Sequence, residues 1–440
     1  AAKLGLRTAV VESREAGGTC LNRGCVPTKA LLHASGIYRE ALEGAEAGVI
    51  ARDLGLDLPV MFARQKEISS KLSAGIEGLF KSAKVASLHG VGQITAPGAV
   101  RVTAADGSTT DYTADHILIA TGSVPARPPI PGLDLPGVMT SDELLQGSDA
   151  LYKSLVIIGG GVIGVEFATF YSDLGRPVTI VEGLDRLLPN LDRELGQNLA
   201  MILKKRGVTI HTGAMVERLE ETGDGLAVHF NTKNGPASAA GEKVLCAIGR
   251  RPYWEGLFAP GLQPETAGRA IQVDERYRTS IPGVYAIGDV SSKIQLAHVA
   301  TAQGEACVEM IRGKEPTVDV SLVPSCVYCR PEIASVGLTE AEAKDAGVPI
   351  KAGKCVMGGN ARTMIAGPGR CFMKVVARTD TREIVGAQLM CEHSTDIIGQ
   401  ISQAIANHMT VEQLMKAMRP HPTFEEALGE ALADLSAKLG

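Results

Sequence analysis

The chain has 440 residues, 45% of them apolar and 21% charged, with a net charge of −5 and an isoelectric point near 6.1. That length asks for about two to four domains, and the acidic balance without any Lys/Arg block argues against a nucleic-acid surface. No run of about 18 apolar residues is present for a membrane span, and nine cysteines at irregular spacings do not make a secreted disulfide framework, so a reducing, cytoplasmic setting is expected.

Residues 1–6 read as the end of a helix and 8–12 as the strand after it, closing on Glu12. A dinucleotide-binding unit opens with a strand and a Gly-x-Gly-x-x-Gly turn before such a helix; neither stands ahead of it here. Next comes Gly17-Gly18-Thr19-Cys20-Leu21-Asn22-Arg23-Gly24-Cys25-Val26-Pro27-Thr28-Lys29, leading into a helix predicted over 28–42. Two thiols separated by four residues can close to a disulfide or open to a dithiol, which makes a two-electron store. A helix start lowers a thiol's pKa through its unpaired N–H groups. Two buried structural cysteines are the alternative, and the glycines, Pro27 and Lys29 weigh against it.

A helix-rich stretch then gives way to β-like sequence over 85–111. Residues 116–125 (His-Ile-Leu-Ile-Ala-Thr-Gly-Ser-Val-Pro) read as a buried strand ending in a small-residue turn. Pro125, Pro128, Pro129, Pro131 and Pro136 mark a linker. A complete nucleotide-binding pattern follows: the apolar run 155–158, then Gly159-Gly160-Gly161-Val162-Ile163-Gly164, a helical pattern to Leu174, and a strand over 178–181 ending on Glu182. The glycines let backbone approach a pyrophosphate at a helix N-terminus. The Glu182 carboxylate suits the two ribose hydroxyls of NAD and repels a 2′-phosphate. A helix over 192–206 and a strand over 208–212 continue the alternation.

Residues 279–289 form a turn, an apolar strand and a Gly-Asp, where Asp289 can take a sugar-alcohol hydroxyl or simply cap a helix. The last 120 or so residues mix strands (371–377, 384–390) with helices (394–407, 411–418), an α+β pattern. Cys326 and Cys329 fall on a strand predicted over 323–328, pointing to opposite faces, and read as structural. Near the C-terminus, Arg419-Pro420-His421-Pro422 sets a histidine on stiff backbone with Glu426 five residues on. An isolated His is ordinarily a surface or core residue; this one is suited to being a positioned base.

These motifs together resemble the class I pyridine nucleotide-disulfide oxidoreductases, and within them the lipoamide dehydrogenases. The resemblance implies an α/β fold of two Rossmann-like three-layer dinucleotide-binding domains plus a C-terminal α+β dimerisation domain. It places a first FAD segment at 1–148, an inserted NAD domain at 149–268, a second FAD segment at 269–320 and the interface domain at 321–440. It further implies that roughly 25 residues of strand, turn and helix belong ahead of residue 1. FAD contacts are expected from Glu12 (ribose), Gly18, Thr19, Lys29, Gly90, Thr121, Gly122, Ser123 and Asp289. Gln295, Leu296, Ala297 and His298 are expected under the flavin ring. NAD contacts are expected from Gly159, Gly161, Gly164, Glu166, Glu182, Val216 and Gly249, with Lys29 and Glu166 paired near the flavin.

By the same resemblance, Cys20 exchanges with a dithiol substrate, Cys25 faces the flavin, and His421 with Glu426 serves as the base for the other subunit of a homodimer. The implied activity is oxidation of protein-bound dihydrolipoamide to lipoamide with reduction of NAD. Lipoyl domains of 2-oxoacid dehydrogenase or glycine-cleavage complexes are the implied partners. A glutathione reductase-like enzyme and a flavin-free binding subunit stay open as alternatives.

Overall fold

The structure, a computed structural model, describes residues 1–147, 150–367 and 369–440. The expected boundary at 148/149 lies outside the described residues. Among the described residues, no helix is long and apolar enough to cross a membrane.

The architecture is α/β. The middle of the chain holds a five-stranded, all-parallel sheet in the spatial order Thr209–Thr212, Val178–Glu182, Leu155–Ile158, Lys243–Cys246, Val138–Met139. Leu155–Ile158 is buried at every position, as a strand covered on both faces must be. The helix Val162–Asp173 covers one face, with ten of its residues buried, and the antiparallel sheet Met215–Thr222, Gly225–Thr232, Gly235–Gly241 packs on the other through Leu219, Val228 and Phe230. The edge strand Val138–Met139 comes from upstream of residue 148, so the segment before the proposed boundary already contributes to this sheet.

The flanking region is built from two parallel strand pairs, Ala9–Glu12 with Ala86–His89 and Ile117–Ile119 with Val284–Ala286. An antiparallel sheet of Val91–Ala96, Ala99–Thr103 and Thr109–Thr113 adjoins them. The pairing of residues 117–119 with 284–286 closes the region around the inserted parallel sheet. The last third is a five-stranded antiparallel sheet, with helices Ser394–Ala406 and Glu426–Leu439 burying Ile398, Ile401, Leu428, Leu432 and Leu435 against it.

Several expected elements shift. Residues 1–6 contain a short 3-10 turn, Ala2–Leu4, and the helix expected over 411–418 stops at Met415. Two changes matter for function. The helix expected from residue 28 begins at Cys25 and runs to Glu43, with Pro27 in its first turn, where a missing N–H costs nothing. Cys20 lies within an unexpected short helix, Gly18–Arg23.

Candidate active site: a redox cleft

Strand ends supply one rim of the site. Glu12 stands opposite His89, and the Gly90 N–H donates to the Glu12 carbonyl at 2.9 Å. Because strands 117–119 and 284–286 run side by side, the turns that follow them also meet. Ser123 Oγ donates to Asp289 Oδ2 at 2.5 Å, while Arg250 Nε donates to the same Ser123 Oγ at 2.8 Å. His298 opens the helix Ala297–Ile311, and its Nε2 lies 2.8 Å from the Pro324 carbonyl. A carbonyl only accepts, so that ring nitrogen carries the proton.

The cysteines sit on two helix turns braced from below. Ser69 Oγ and Ser73 Oγ, one turn apart on the helix Leu58–Ser82, donate to the carbonyls of Leu21 (2.9 Å) and Ala16 (2.8 Å). Gly24 separates the two helices and leaves Cys25 as the first helical residue. Both cysteines are free thiols, and the Cys20 thiol hydrogen-bonds to Cys25. That bond, helped by the nearby Lys29 ammonium against the cost of burial, draws the Cys25 thiol down to about 7. As the donor, and partly desolvated, Cys20 is pushed far above the usual thiol range. Of the two thiols, Cys25 is therefore the one more readily ionised.

Lys29 lies one helical turn beyond Cys25, and its Nζ donates to Glu166 Oε1 and Oε2 at 2.9 and 2.8 Å. Glu166, buried on the helix Val162–Asp173, also accepts from the Tyr328 N–H at 3.0 Å. The Tyr328 ring lies 4.7 Å from Lys29 Nζ, a cation–π contact. Nothing in the local pattern around Tyr328 announces this role; its position between Cys326 and Cys329 drew attention to the wrong atoms. Cys326 does line the cleft, with its thiol pushed up to about 11 by burial, and Cys329 is wholly buried with its thiol raised for the same reason. A second residue missed was Arg250, whose guanidinium holds the Ser123–Asp289 junction.

A single cleft of about 3060 Å³ gathers these groups. Its wall carries Glu12, Gly18, Thr19, Cys20, Cys25, Lys29, Gly90, Thr121, Gly122, Ser123, Asp289, Gln295, Leu296, Ala297 and His298. From the other side come Gly159, Gly161, Glu166, Glu182, Val216 and Gly249. Gly164 stands off the wall. A Cβ there would sit 2.0 Å from the Gly159 carbonyl oxygen, so this glycine lets helix and strand close up and does not meet a ligand. Gly159, at φ +109°, has the Ala247 carbonyl oxygen 2.4 Å from where a Cβ would be, whereas Gly161 faces open space. Tight turn, open approach and close packing are the three demands a pyrophosphate-binding turn makes. Glu182, buried at the next strand end, accepts from the N–H groups of Gly160 and Leu184, which aims its carboxylate along the same turn. The geometry suits a dinucleotide here and a second one along the rim from Glu12 to Asp289.

His421 and Glu426 also stand off the cleft wall, and they form a dyad of their own. His421 Nδ1 lies 2.8 Å from Glu426 Oε1, and Glu426 Oε2 accepts from the Thr423 N–H at 2.9 Å. Those two bonds, the backbone one first, hold the Glu426 carboxyl below its usual range. The acid thus stays ionised and fixes the imidazole with Nε2 free. The His421 side chain is 70% exposed.

Residues 1–304 match the family described as pyridine nucleotide-disulphide oxidoreductase, and residues 323–432 match its dimerisation domain. The chain is 38% identical to a dihydrolipoyl dehydrogenase of Bacillus subtilis, covering 98% of this chain and 93% of that protein. It is 36% identical to the mitochondrial dihydrolipoyl dehydrogenase of Pisum sativum, covering 98% and 87%. The structure superposes on that of LpdA from Mycobacterium tuberculosis with a TM-score of 0.88 at 29% identity, covering 97% of this chain and 93% of that one. Two matched domains spanning most of the chain, with a dithiol at the mouth of a two-dinucleotide cleft, leave one conclusion: the chain belongs to the pyridine nucleotide-disulphide oxidoreductase family, with the dimerisation domain by which two copies form a homodimer.

Proposed function

We propose that the protein is a dihydrolipoyl dehydrogenase, oxidising the dithiol of dihydrolipoamide to the cyclic disulfide while NAD is reduced, with FAD between them. The observation that carries this reading is the thiol pair itself, Cys20 and Cys25 on the wall of the cleft, with Lys29 one helical turn beyond Cys25 and held by Glu166. FAD, when bound, would supply the two-electron relay between the dithiol and NAD. We assign its cradle to Glu12, Gly90, the 121–123 turn, Asp289 and residues 295–298, and that of NAD to Gly159, Gly161, Glu182, Val216 and Gly249.

The protein's own residues set the rest of the chemistry. His421, held as an acceptor at Nε2 by Glu426, takes a proton from the substrate dithiol. The resulting thiolate attacks Cys20 of the oxidised pair, so a mixed disulfide forms as the Cys20–Cys25 bond breaks and Cys25 leaves as thiolate. Loss of the second substrate proton lets its other sulfur displace Cys20, which releases lipoamide and leaves the pair as a dithiol. Two electrons and two protons have then left the substrate; NAD takes the electrons with one proton, and the other goes to solvent. Lys29, held in place by Glu166, favours the Cys25 anion during this sequence. Glu182 selects NAD over NADP. Lipoyl domains of 2-oxoacid dehydrogenase or glycine-cleavage complexes in the cytoplasm are the dithiol donors that fit, because a swinging arm can reach a cleft completed by two subunits.

Visible absorption of the purified protein, before and after anaerobic addition of NADH, tests the reading together with turnover of dihydrolipoamide. Oxidised flavin bands that gain a long-wavelength shoulder on reduction, with NAD-dependent dithiol oxidation, are expected. A colourless protein that FAD does not reconstitute, or NADPH-driven reduction of glutathione disulfide in its place, overturns it.

A further inference from the structure

The helix Val162–Asp173 carries two buried carboxylates two turns apart, Glu166 near its start and Asp173 at its end. Glu166 serves the cleft. Asp173 does not line it, yet its side chain is fully buried, 3.4 Å from Arg206 Nη1 and 3.3 Å from Arg330 Nε. Ser35 Oγ donates to it at 3.3 Å. The two carboxylates make the same three-way junction at different heights. Glu166 joins Lys29 of the cysteine helix Cys25–Glu43 to the Tyr328 N–H. Asp173 joins Ser35 of that same helix to Arg330, two residues after Tyr328.

The cysteine helix is shaped for the second junction. A Cβ at Gly36 would fall 1.4 Å from Arg330 Nη2, so the guanidinium crosses the helix where there is no side chain. Arg330 Nη2 also donates to the Leu32 carbonyl at 3.4 Å, and Nη1 to Glu40 Oε1 at 3.3 Å. We propose that Arg330, locked to Asp173 across Gly36, is a positioning residue that holds Tyr328 against Lys29 and Glu166 and so sets the charge environment of Cys25. Residues 328–332 bridge the strands Ser325–Val327 and Ile333–Gly337, and Arg330 pins this connection to the helix that bears Cys25. Buried ion pairs add little net stability but break at high cost and fix geometry where they persist. Arg206, at the end of the helix Arg193–Lys205, meets the same carboxylate, and among the described residues it makes no hydrogen bond or ion pair to 328–330, so it shares the burial without the linkage.

This inference rests on Cys25 being the cleft thiolate. It is tested on the purified protein reduced with dithiothreitol, by following iodoacetamide modification of Cys25 against pH with site-resolved mass spectrometry. Arg330→Met, which leaves Arg206 to neutralise Asp173, should raise the Cys25 midpoint by about half a unit or more, ~3-fold less thiolate below it. Gly36→Ala, which displaces the guanidinium without removing a charge, should do the same. Arg206→Met should lower the melting temperature and leave the midpoint in place. An unchanged midpoint in both Arg330→Met and Gly36→Ala overturns the proposal, as does an equal shift in Arg206→Met. A wild-type Cys25 that titrates in the ordinary thiol range sinks the thiolate reading instead.

Discussion

The cysteine segment and the His421 segment both set up proton chemistry, and they are organised in opposite ways. Around Cys25 the groups that favour its anion come from the same chain, Cys20 from the preceding turn and Lys29 from the next turn of the helix, with Glu166 and Tyr328 holding Lys29 in place. Around His421 the orienting half is just as complete, with Glu426 and Thr423, but the imidazole faces solvent and lies off the wall of its own cleft. Nearby, Met418 is 97% exposed, and Met364, Ile365 and Val356 of the same domain are each more than 60% exposed. Apolar exposure of this extent in a dimerisation domain is what a second copy covers. On the proposed mechanism, the electron-storing half is finished by folding and the proton-accepting half by assembly of the dimer.

Removing either half separates the two. Cys20→Ser is expected to abolish dihydrolipoamide oxidation altogether, while NADH still bleaches the flavin bands, because nothing in the nucleotide cradles changes. Dithiol turnover persisting in that variant would break the scheme. His421→Gln should cost about 100- to 10,000-fold in dithiol turnover, the usual worth of a positioned base, and leave the Cys25 titration untouched. The sharper test mixes the two. Heterodimers with Cys20→Ser in one subunit and His421→Gln in the other should recover about half of the wild-type rate if the base acts across the dimer, since one of two sites is whole. A base acting within its own subunit leaves such heterodimers inactive.

The two regions also differ in how far they could be read from sequence. Strand 155–158, the glycine turn and Glu182 were legible because one short βαβ unit carries every cue, and the observed strands Leu155–Ile158 and Val178–Glu182 follow the apolar pattern. Strand Ile384–Met390 was equally plain. The cysteine motif was legible as chemistry but not as geometry. The helix was expected from residue 28, whereas Pro27 lies inside its first turn and Gly24 marks the true start. Tyr328, Arg330 and Asp173 were not legible at all. The Lys29–Glu166 pair, 137 positions apart, was expected through the resemblance and is present; Glu166 meets Tyr328 across 162 positions, and no local pattern encodes a contact made only when three regions pack on one helix. His421 with Glu426 was expected as a pair, and as serving the other subunit, through the resemblance alone; the structure sets the two 2.8 Å apart.

A smaller effect tests how the dyad is tuned. Glu426→Gln keeps a hydrogen-bond partner for His421 but removes the charge that stabilises an imidazolium, so dithiol turnover should fall about 10- to 100-fold. With the single amide oxygen turned toward His421 Nδ1, the Thr423 N–H loses its acceptor, so the melting temperature should also fall slightly. A rate loss as large as that of His421→Gln would mean that the acid does more than orient its neighbour.

The smallest expected effect lies on the cysteine side and sets its sign by pH. Cys25 titrates near 7 because the Cys20 hydrogen bond and the Lys29 cation favour its anion over the effect of burial. Lys29→Met removes the second of these, so the midpoint rises toward the ordinary thiol range and the thiolate fraction at neutral pH falls. The loss should be a few-fold, since the Cys20 bond is the larger cause and remains. The pH profile of dithiol oxidation should move to the alkaline side by the same amount, with the rate at high pH retained. Glu166, left buried without its cation, destabilises this variant by about 3–5 kcal/mol; Lys29→Arg, which restores the charge, should recover both the midpoint and most of the melting temperature. If Lys29→Met lowers the rate equally at all pH values, the ammonium holds the cleft together without tuning the thiol, and the cysteine side is less self-sufficient than its hydrogen bonds indicate.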